Sequence, residues 1–214
     1  QAMADFEPPR LVDGPQTAPA TVLLAHGAGA PMDSPFMAAM ASGLADQGWR
    51  VVRFEFAYMA RQRLSGRKAA PDRLPKLQEV FRQQVALEAA QGPVIIGGKS
   101  MGGRVASLLL DELQVLGGIC LGYPFHPLGK PDQLRTEHLR EPPPPTLILQ
   151  GERDGIGPRG EVEGYELSAS ISLQWLPDGD HSFKPRKSSG VSEAQNWQQA
   201  VAAADRFCRG LLSP

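Results

Sequence analysis

Val94-Ile-Ile-Gly-Gly-Lys-Ser-Met-Gly-Gly103 decides the reading of this chain. An apolar, β-branched run leads into a glycine-flanked turn. Met101, Val105, Leu108 and Leu109 then recur at helical spacing. The pattern is strand, sharp turn, helix, and Gly98-Lys-Ser-Met-Gly102 matches G-x-S-x-G. A serine thrust out on such a turn leaves no room for neighbouring Cβ atoms, which is why glycines must flank it. The helix that starts there aims its first N–H groups and its dipole at developing negative charge. Ser100 is therefore a candidate nucleophile and the Met101 N–H a candidate oxyanion donor. A phosphate-loop reading of Gly98-Lys99-Ser100 fails, because the required earlier glycine falls on Pro93, and Gly92 precedes the strand.

Further strands are expected at Thr21–Ala25, Val51–Phe56, Val94–Gly97, Gly118–Leu121, Thr146–Gln150 and Ile171–Leu176. Several are apolar on both faces, as in a parallel sheet covered by helices on both sides. Helical patterns alternate with them. Ser34 caps a run carrying Phe36, Met40 and Leu44 that stops at Gly48. Leu74, Leu77, Phe81 and Val85 mark another. Ser192-Glu-Ala-Gln195 resembles a capping box ahead of Trp197, Val201, Ala204, Cys208 and Leu211. The fold class is α/β, with a mostly parallel sheet. Arg61–Arg73, rich in basic residues, is expected to be an exposed loop, and the prolines after Glu141 a rigid spacer.

Partners for Ser100 are sought in chain order, an acid and then a histidine. Asp154 follows the Thr146–Gln150 strand, with Glu152 as the fallback. His181 follows the last strand, in Asp178-Gly-Asp-His-Ser-Phe183. His26, His126 and His138 come too early in the chain. His181 would act as general base and acid, with Asp154 setting its tautomer. Asp178 and Asp180 lie too close in sequence to orient that ring easily. The second oxyanion donor is sought in Leu24-Ala-His-Gly-Ala-Gly29, where small residues let backbone approach a substrate. Ala28 is the first choice and Gly27 the alternative, with His26 bracing the loop. The same run is not a dinucleotide fingerprint, since Met32 stands where G-x-G-x-x-G needs glycine.

The 214 residues suit a single domain, and 22 Lys+Arg against 23 Asp+Glu give a net charge of -1. Near-neutrality argues against a nucleic-acid binder, and no run approaches a membrane span. Cys120 and Cys208 cannot make a disulfide scaffold and suit the cytoplasm. No Cys/His spacing suggests a metal, and no cofactor is implied. Gln1–Met3 reads as a tag remnant within a leader over residues 1–14, ahead of one domain over 15–214. The 23 glycines and 20 prolines show no period and cluster at the ends of apolar runs, as functional turns would.

Taken together, Leu24–Met32, Phe54–Phe56, Gly97–Arg104, Tyr123–Pro127, Leu149–Asp154 and Asp180–Phe183 resemble the α/β-hydrolase superfamily. More narrowly they are similar to the small capless dienelactone-hydrolase-like group that includes the hydrolase-like subunit 3 of the NSL chromatin complex. The resemblance implies a sheet of six to eight strands with no large cap domain. Dienelactone hydrolases proper use a cysteine where this chain has Ser100, so their substrate does not carry over. The expected activity is serine hydrolysis of a small carboxylic ester or thioester through an acyl-enzyme on Ser100. The alternative is a binding or assembly module that retains the fold. If Arg61–Lys68 and Lys184–Lys187 converge on the site, an acidic substrate is favoured.

Overall fold

The computed structural model describes residues 7–141 and 143–213; Gln1–Met3 lie outside them. Seven strands form one sheet: β1 (Arg10–Asp13), β2 (Thr21–Ala25), β3 (Arg50–Phe54), β4 (Val94–Lys99), β5 (Gly118–Leu121), β6 (Thr146–Gly151) and β7 (Ile171–Leu176). Their spatial order is β1-β3-β2-β4-β5-β6-β7. Every neighbouring pair is parallel except β1 with β3. The helices are α1 (Pro35–Asp46), α2 (Ala57–Ser65), α3 (Leu74–Ala89), α4 (Met101–Leu109), the single turn α5 (Arg159–Val162) and α6 (Glu193–Leu212).

Strand alternation sorts the core into two layers. Val22, Leu24, Val51 and Ile95 face α1 and α6, meeting Met37, Met40, Ala200 and Ala204. Leu23, Val52, Phe54 and Ile96 face α3 and α4, meeting Leu77, Phe81, Val105 and Leu109. A smaller cluster of Cys120, Tyr123, Phe125, Ile148 and Val162 lies under the β5–β7 end. No separate cap covers the strand ends among the described residues.

β1 corrects the leader drawn over residues 1–14, because the sheet begins at Arg10. The strand is short and half polar, which hides it from a periodicity reading. Side-chain pairs dock it instead. Arg10 and Arg50 both bind the carboxylate of the fully buried Glu88 of α3, while Asp13 pairs with Arg53 at 3.0 Å. α2 corrects the first part of the loop expected at Arg61–Arg73. It buries only Tyr58, Met59 and Ala60 and stops at Gly66, whose φ of 70° is the left-handed cap that ends a helix cheaply.

The expected caps form as read. Ser34 accepts from the Met37 N–H, and Ser192 with Gln195 makes a reciprocal capping box. The inner face of α6 is rotated slightly from expectation. Asn196, Ala200 and Ala203 are buried with Ala204 and Cys208, and Trp197 and Val201 flank them.

Candidate active site

Ser100 joins β4 to α4 with φ 50° and ψ −115°. A non-glycine residue at such an angle is strained and persists only where its surroundings over-determine it. Here the Ser100 N–H donates to Leu121 O at 2.9 Å, and Ser100 O accepts from the Arg104 N–H at 3.0 Å. Bare backbone makes the turn possible. A Cβ on Gly98 would lie 2.5 Å from Ala25 O, and one on Gly102 would lie 2.5 Å from His26 O.

The structure brings Ser100, His181 and Asp154 into one hydrogen-bonded chain. His181 Nε2 lies 2.8 Å from Ser100 Oγ, and His181 Nδ1 lies 2.7 Å from Asp154 Oδ2. An ionised carboxylate only accepts, so Nδ1 carries the proton and the Nε2 lone pair faces the serine hydroxyl. The Asp154 side chain is fully buried, whereas that of His181 is 34% exposed. The carboxylate is shut away from solvent and the imidazole can be reached from the cleft.

Burial of Asp154 is matched by donors. Asp154 Oδ1 accepts from the Ile156 N–H at 3.0 Å, and Oδ2 also accepts from Gln150 Nε2 at 3.2 Å. Gln150 is itself anchored by Tyr123, whose N–H donates to Oε1 at 2.8 Å. Glu152, the fallback acid, is engaged elsewhere, accepting from the Asp178 N–H at 2.8 Å and from Arg159 at 3.0 Å. Asp180 accepts from the Ser182 and Lys184 N–H groups and Asp178 pairs with Arg186, so neither orients the ring.

The loop that bears His181 is tied down from several sides. Asn196 Nδ2 donates to Pro177 O and Phe183 O, both at 2.9 Å. Trp197 Nε1 donates to Ser182 O at 3.0 Å, and Lys99 Nζ donates to His181 O. Gln150, Asn196, Trp197 and Lys99 were not singled out from the sequence as site residues. Asn196 did leave a signal: a polar residue in register with Ala200 and Ala203 on a buried helix face.

His26 braces the Gly27–Ala30 loop as expected. Its Nε2 accepts from the Phe56 N–H at 3.1 Å, which leaves Nδ1 to donate to Gly27 O at 2.6 Å. Burial lowers its pKa and keeps it neutral. Tyr58 Oη donates to Ala28 O at 2.8 Å on the same side. His126 pairs with Glu161 at 2.7 Å, away from the serine. His138 donates from Nε2 to Ser107 Oγ at 2.9 Å, because that hydroxyl already donates to Arg104 O. Burial drives the Cys120 and Cys208 thiols up to about 12, so neither is a nucleophile.

A cleft of about 580 Å³ opens on Ser100 and His181, walled by Ala28, Gly29, Phe36, Lys99, Glu193 and Trp197. Neither Arg61–Lys68 nor Lys184–Lys187 contributes to that lining, so the condition for favouring an acidic substrate is not met. Arg63 is held by Glu55 and Asp33, both at 2.7 Å, and Arg186 by Asp178 at 2.6 Å. Arg63 and Lys68 line a separate cavity beyond Gly29. No cluster of three or more metal-ligating side chains occurs among the described residues, nor does any helix long and apolar enough to cross a membrane.

A seven-stranded sheet with a strained serine at the β4–α4 turn defines the α/β-hydrolase fold. The family described as the alpha/beta hydrolase domain matches residues 18–209, and the chain belongs to it. Solved structures share the fold at low identity. A lidless α/β serine hydrolase from Xanthomonas campestris is 21% identical, with TM-score 0.70, over 94% of this chain and 88% of that one. A dienelactone hydrolase from Anabaena variabilis is 20% identical, with TM-score 0.71, over 97% and 93%. A thermophilic esterase from Thermogutta terrifontis, solved with malate bound, is 17% identical, with TM-score 0.69, over 96% and 94%.

Proposed function

We propose that this protein is a serine hydrolase that cleaves a small carboxylic ester or thioester through an acyl-enzyme on Ser100. The observation that carries the reading is the unbroken Asp154–His181–Ser100 chain, at 2.7 and 2.8 Å, on a strained turn at the floor of an open cleft. His181 Nε2 takes the hydroxyl proton as Oγ bonds to the substrate carbonyl carbon, and the carbonyl π pair moves onto oxygen. The resulting imidazolium is stabilised by Asp154 and returns the proton to the departing alcohol or thiol. Water then repeats the sequence on the acyl-enzyme, releasing the acid and restoring Ser100.

Two backbone donors serve the developing oxyanion. Met101 is the first residue of α4, where an N–H has no intrahelical acceptor. Ala28 is favoured over Gly27 by peptide planarity, which sets N–H and C=O antiparallel. Gly27 O is turned inward to His26, so the Ala28 N–H faces the other way, and Gly27 itself lies against Ser100. Each such donor is worth about 3 kcal/mol in the transition state.

The cleft volume and the lack of a cap over it among the described residues favour a small, soluble substrate. Among the described residues that line the cleft, one acid, Glu193, and one lysine, Lys99, give no net preference for an acidic one. Two free, buried cysteines fit work in the cytoplasm.

A fluorophosphonate probe followed by intact-mass measurement tests the chemistry without knowledge of the substrate. A single adduct on wild type and none on Ser100→Ala is the expected result. A folded wild type that takes no adduct would leave the binding-module reading in its place. Turnover of nitrophenyl esters and thioesters of increasing acyl length, absent in Ser100→Ala, would then define the acyl group.

A further inference from the structure

Lys99 stands beside the nucleophile and has no part in the acyl-transfer scheme. It ends β4, and its ammonium donates to the backbone carbonyl of His181. Nζ lies 5.0 Å from the centre of the Phe36 ring, over its face. Gly122 leaves space for this contact. A Cβ there would lie 3.1 Å from Lys99 Nζ and 3.3 Å from His181 Cε1, on a backbone with φ 71°. The lysine thus joins three elements: the nucleophile turn, the start of α1 and the loop that bears the base.

Its charge is confined. Burial lowers the Lys99 pKa to about 8, against the opposing pull of Asp154 and Asp180. Phe36 from α1 and Gly122 after β5 bring no charge, and Glu193 stands on the cleft wall. Burying an ammonium is costly unless its donors are used, and a methionine of similar length would be easier to bury here. The one carbonyl it binds is that of the general base.

We propose that Lys99 is a positioning residue for His181, clamping the base-bearing loop to the nucleophile turn so that the imidazole meets Ser100 and Asp154 at once. Only the kinetic half of this inference rests on the acyl-transfer reading. Loss of the clamp frees the His181 carbonyl in the middle of the loop, while Asn196 still holds Pro177 and Phe183 on either side and Trp197 holds Ser182. The fold is therefore expected to survive, with the ring sampling positions off Ser100 Oγ.

Lys99→Met and Lys99→Arg test it in two ways. In proton NMR, the downfield Nδ1–H of His181, assigned by its absence in His181→Gln, should be sharp in wild type. It should broaden or vanish in Lys99→Met and persist in Lys99→Arg. In the second arm, the rate of fluorophosphonate labelling at Ser100 is followed against pH. Wild type should slow above about pH 8, as the ammonium deprotonates and its hydrogen bond weakens. Lys99→Met should label about 10- to 100-fold more slowly at neutral pH and lack that alkaline fall. Lys99→Arg should keep most of the rate with the fall removed.

A Lys99→Met protein with wild-type resonance and rate overturns the proposal. So does a slowed variant with the wild-type pH profile, since a merely structural residue would scale the rate alike at every pH. A folded wild type that takes no adduct sinks the hydrolase reading instead, and the resonance alone then decides whether Lys99 positions His181.

Discussion

The two walls of the cleft differ in how far side chains help to build them. At the ends of β2 and β4, Ser100 is placed by backbone that admits no side chain, with Gly98 and Gly102 pressed against Ala25 and His26. At the ends of β6 and β7, Asp154 and His181 are placed by side chains: Gln150 under the acid, and Asn196, Trp197 and Lys99 around the base. The first wall rests on close backbone approach, whereas the second adds a network of side-chain hydrogen bonds to its own close approach, Gly151 against Gly179 and Asp180. Steric placement fails all at once when an atom is added, whereas a bonded network fails in steps as partners are removed.

That contrast sets the order of expected losses. Gly98→Ala should be the most damaging change, because its Cβ meets backbone atoms of Ala25 and Gly102 that cannot rotate away. A loss of at least ~3 kcal/mol in chemical denaturation, or failure to fold, is expected. A variant that melts like wild type would show that the turn is looser than its geometry.

Asp154→Asn comes next and should act on chemistry more than on folding. It keeps the shape but lets His181 adopt the wrong tautomer, and a fall of about 10⁴-fold in kcat is expected with the fold retained. A loss under tenfold in steady-state assays would mean that another group orients the ring.

Gln150→Leu should be milder again. It leaves the Tyr123 N–H and O and the Gly157 O without their partner and takes one donor from Asp154. A destabilisation of about 2 kcal/mol is expected. A roughly ten- to hundredfold loss of kcat with little change in KM should accompany it. If only stability moves, Gln150 supports the sheet and not the acid.

The smallest effect belongs to His138, which lies on neither wall. Burial, helped by the charge of Arg104, holds its pKa at about 4 against 6.5 for a free imidazole. Between those values the unfolded chain takes up a proton that the folded one refuses. Stability from this group is therefore full above about pH 6.5 and declines gently as pH drops toward 4, because solvent reaching the ring screens much of the effect. His138→Gln keeps a donor for Ser107 and should flatten this slope in melting curves. An unchanged slope would move the acid sensitivity to another group.

The contrast between the walls also explains how far the sequence could be read. Glycines packed around a serine after an apolar strand are a local signal, so Ser100, Met101 and the β4–α4 turn stand out in ten consecutive residues. Asp154 and His181 are legible because chain order restricts them to the segments after β6 and β7. Lys99, Gln150 and Asn196 are not, because each works through a partner 82, 27 or 13 residues away in the chain. β1 was hidden for the same reason, since its docking depends on Glu88 in a helix 78 residues on. Whether the basic stretch after β3 meets the site could not be read from composition, which does not show which charges are already paired, and Arg63 is held by two carboxylates.

The angle at Ser100 has a consequence for how this molecule could change over time. A backbone held at φ 50° carries about 1–3 kcal/mol of strain in every folded copy, whether or not substrate is present. Glycine at that position would relieve most of it, and on the acyl-transfer reading proposed above the resulting chain would be both sturdier and inert. Selection for durability alone would therefore not preserve this residue. On that same reading, a serine at position 100 exchanges durability for chemistry.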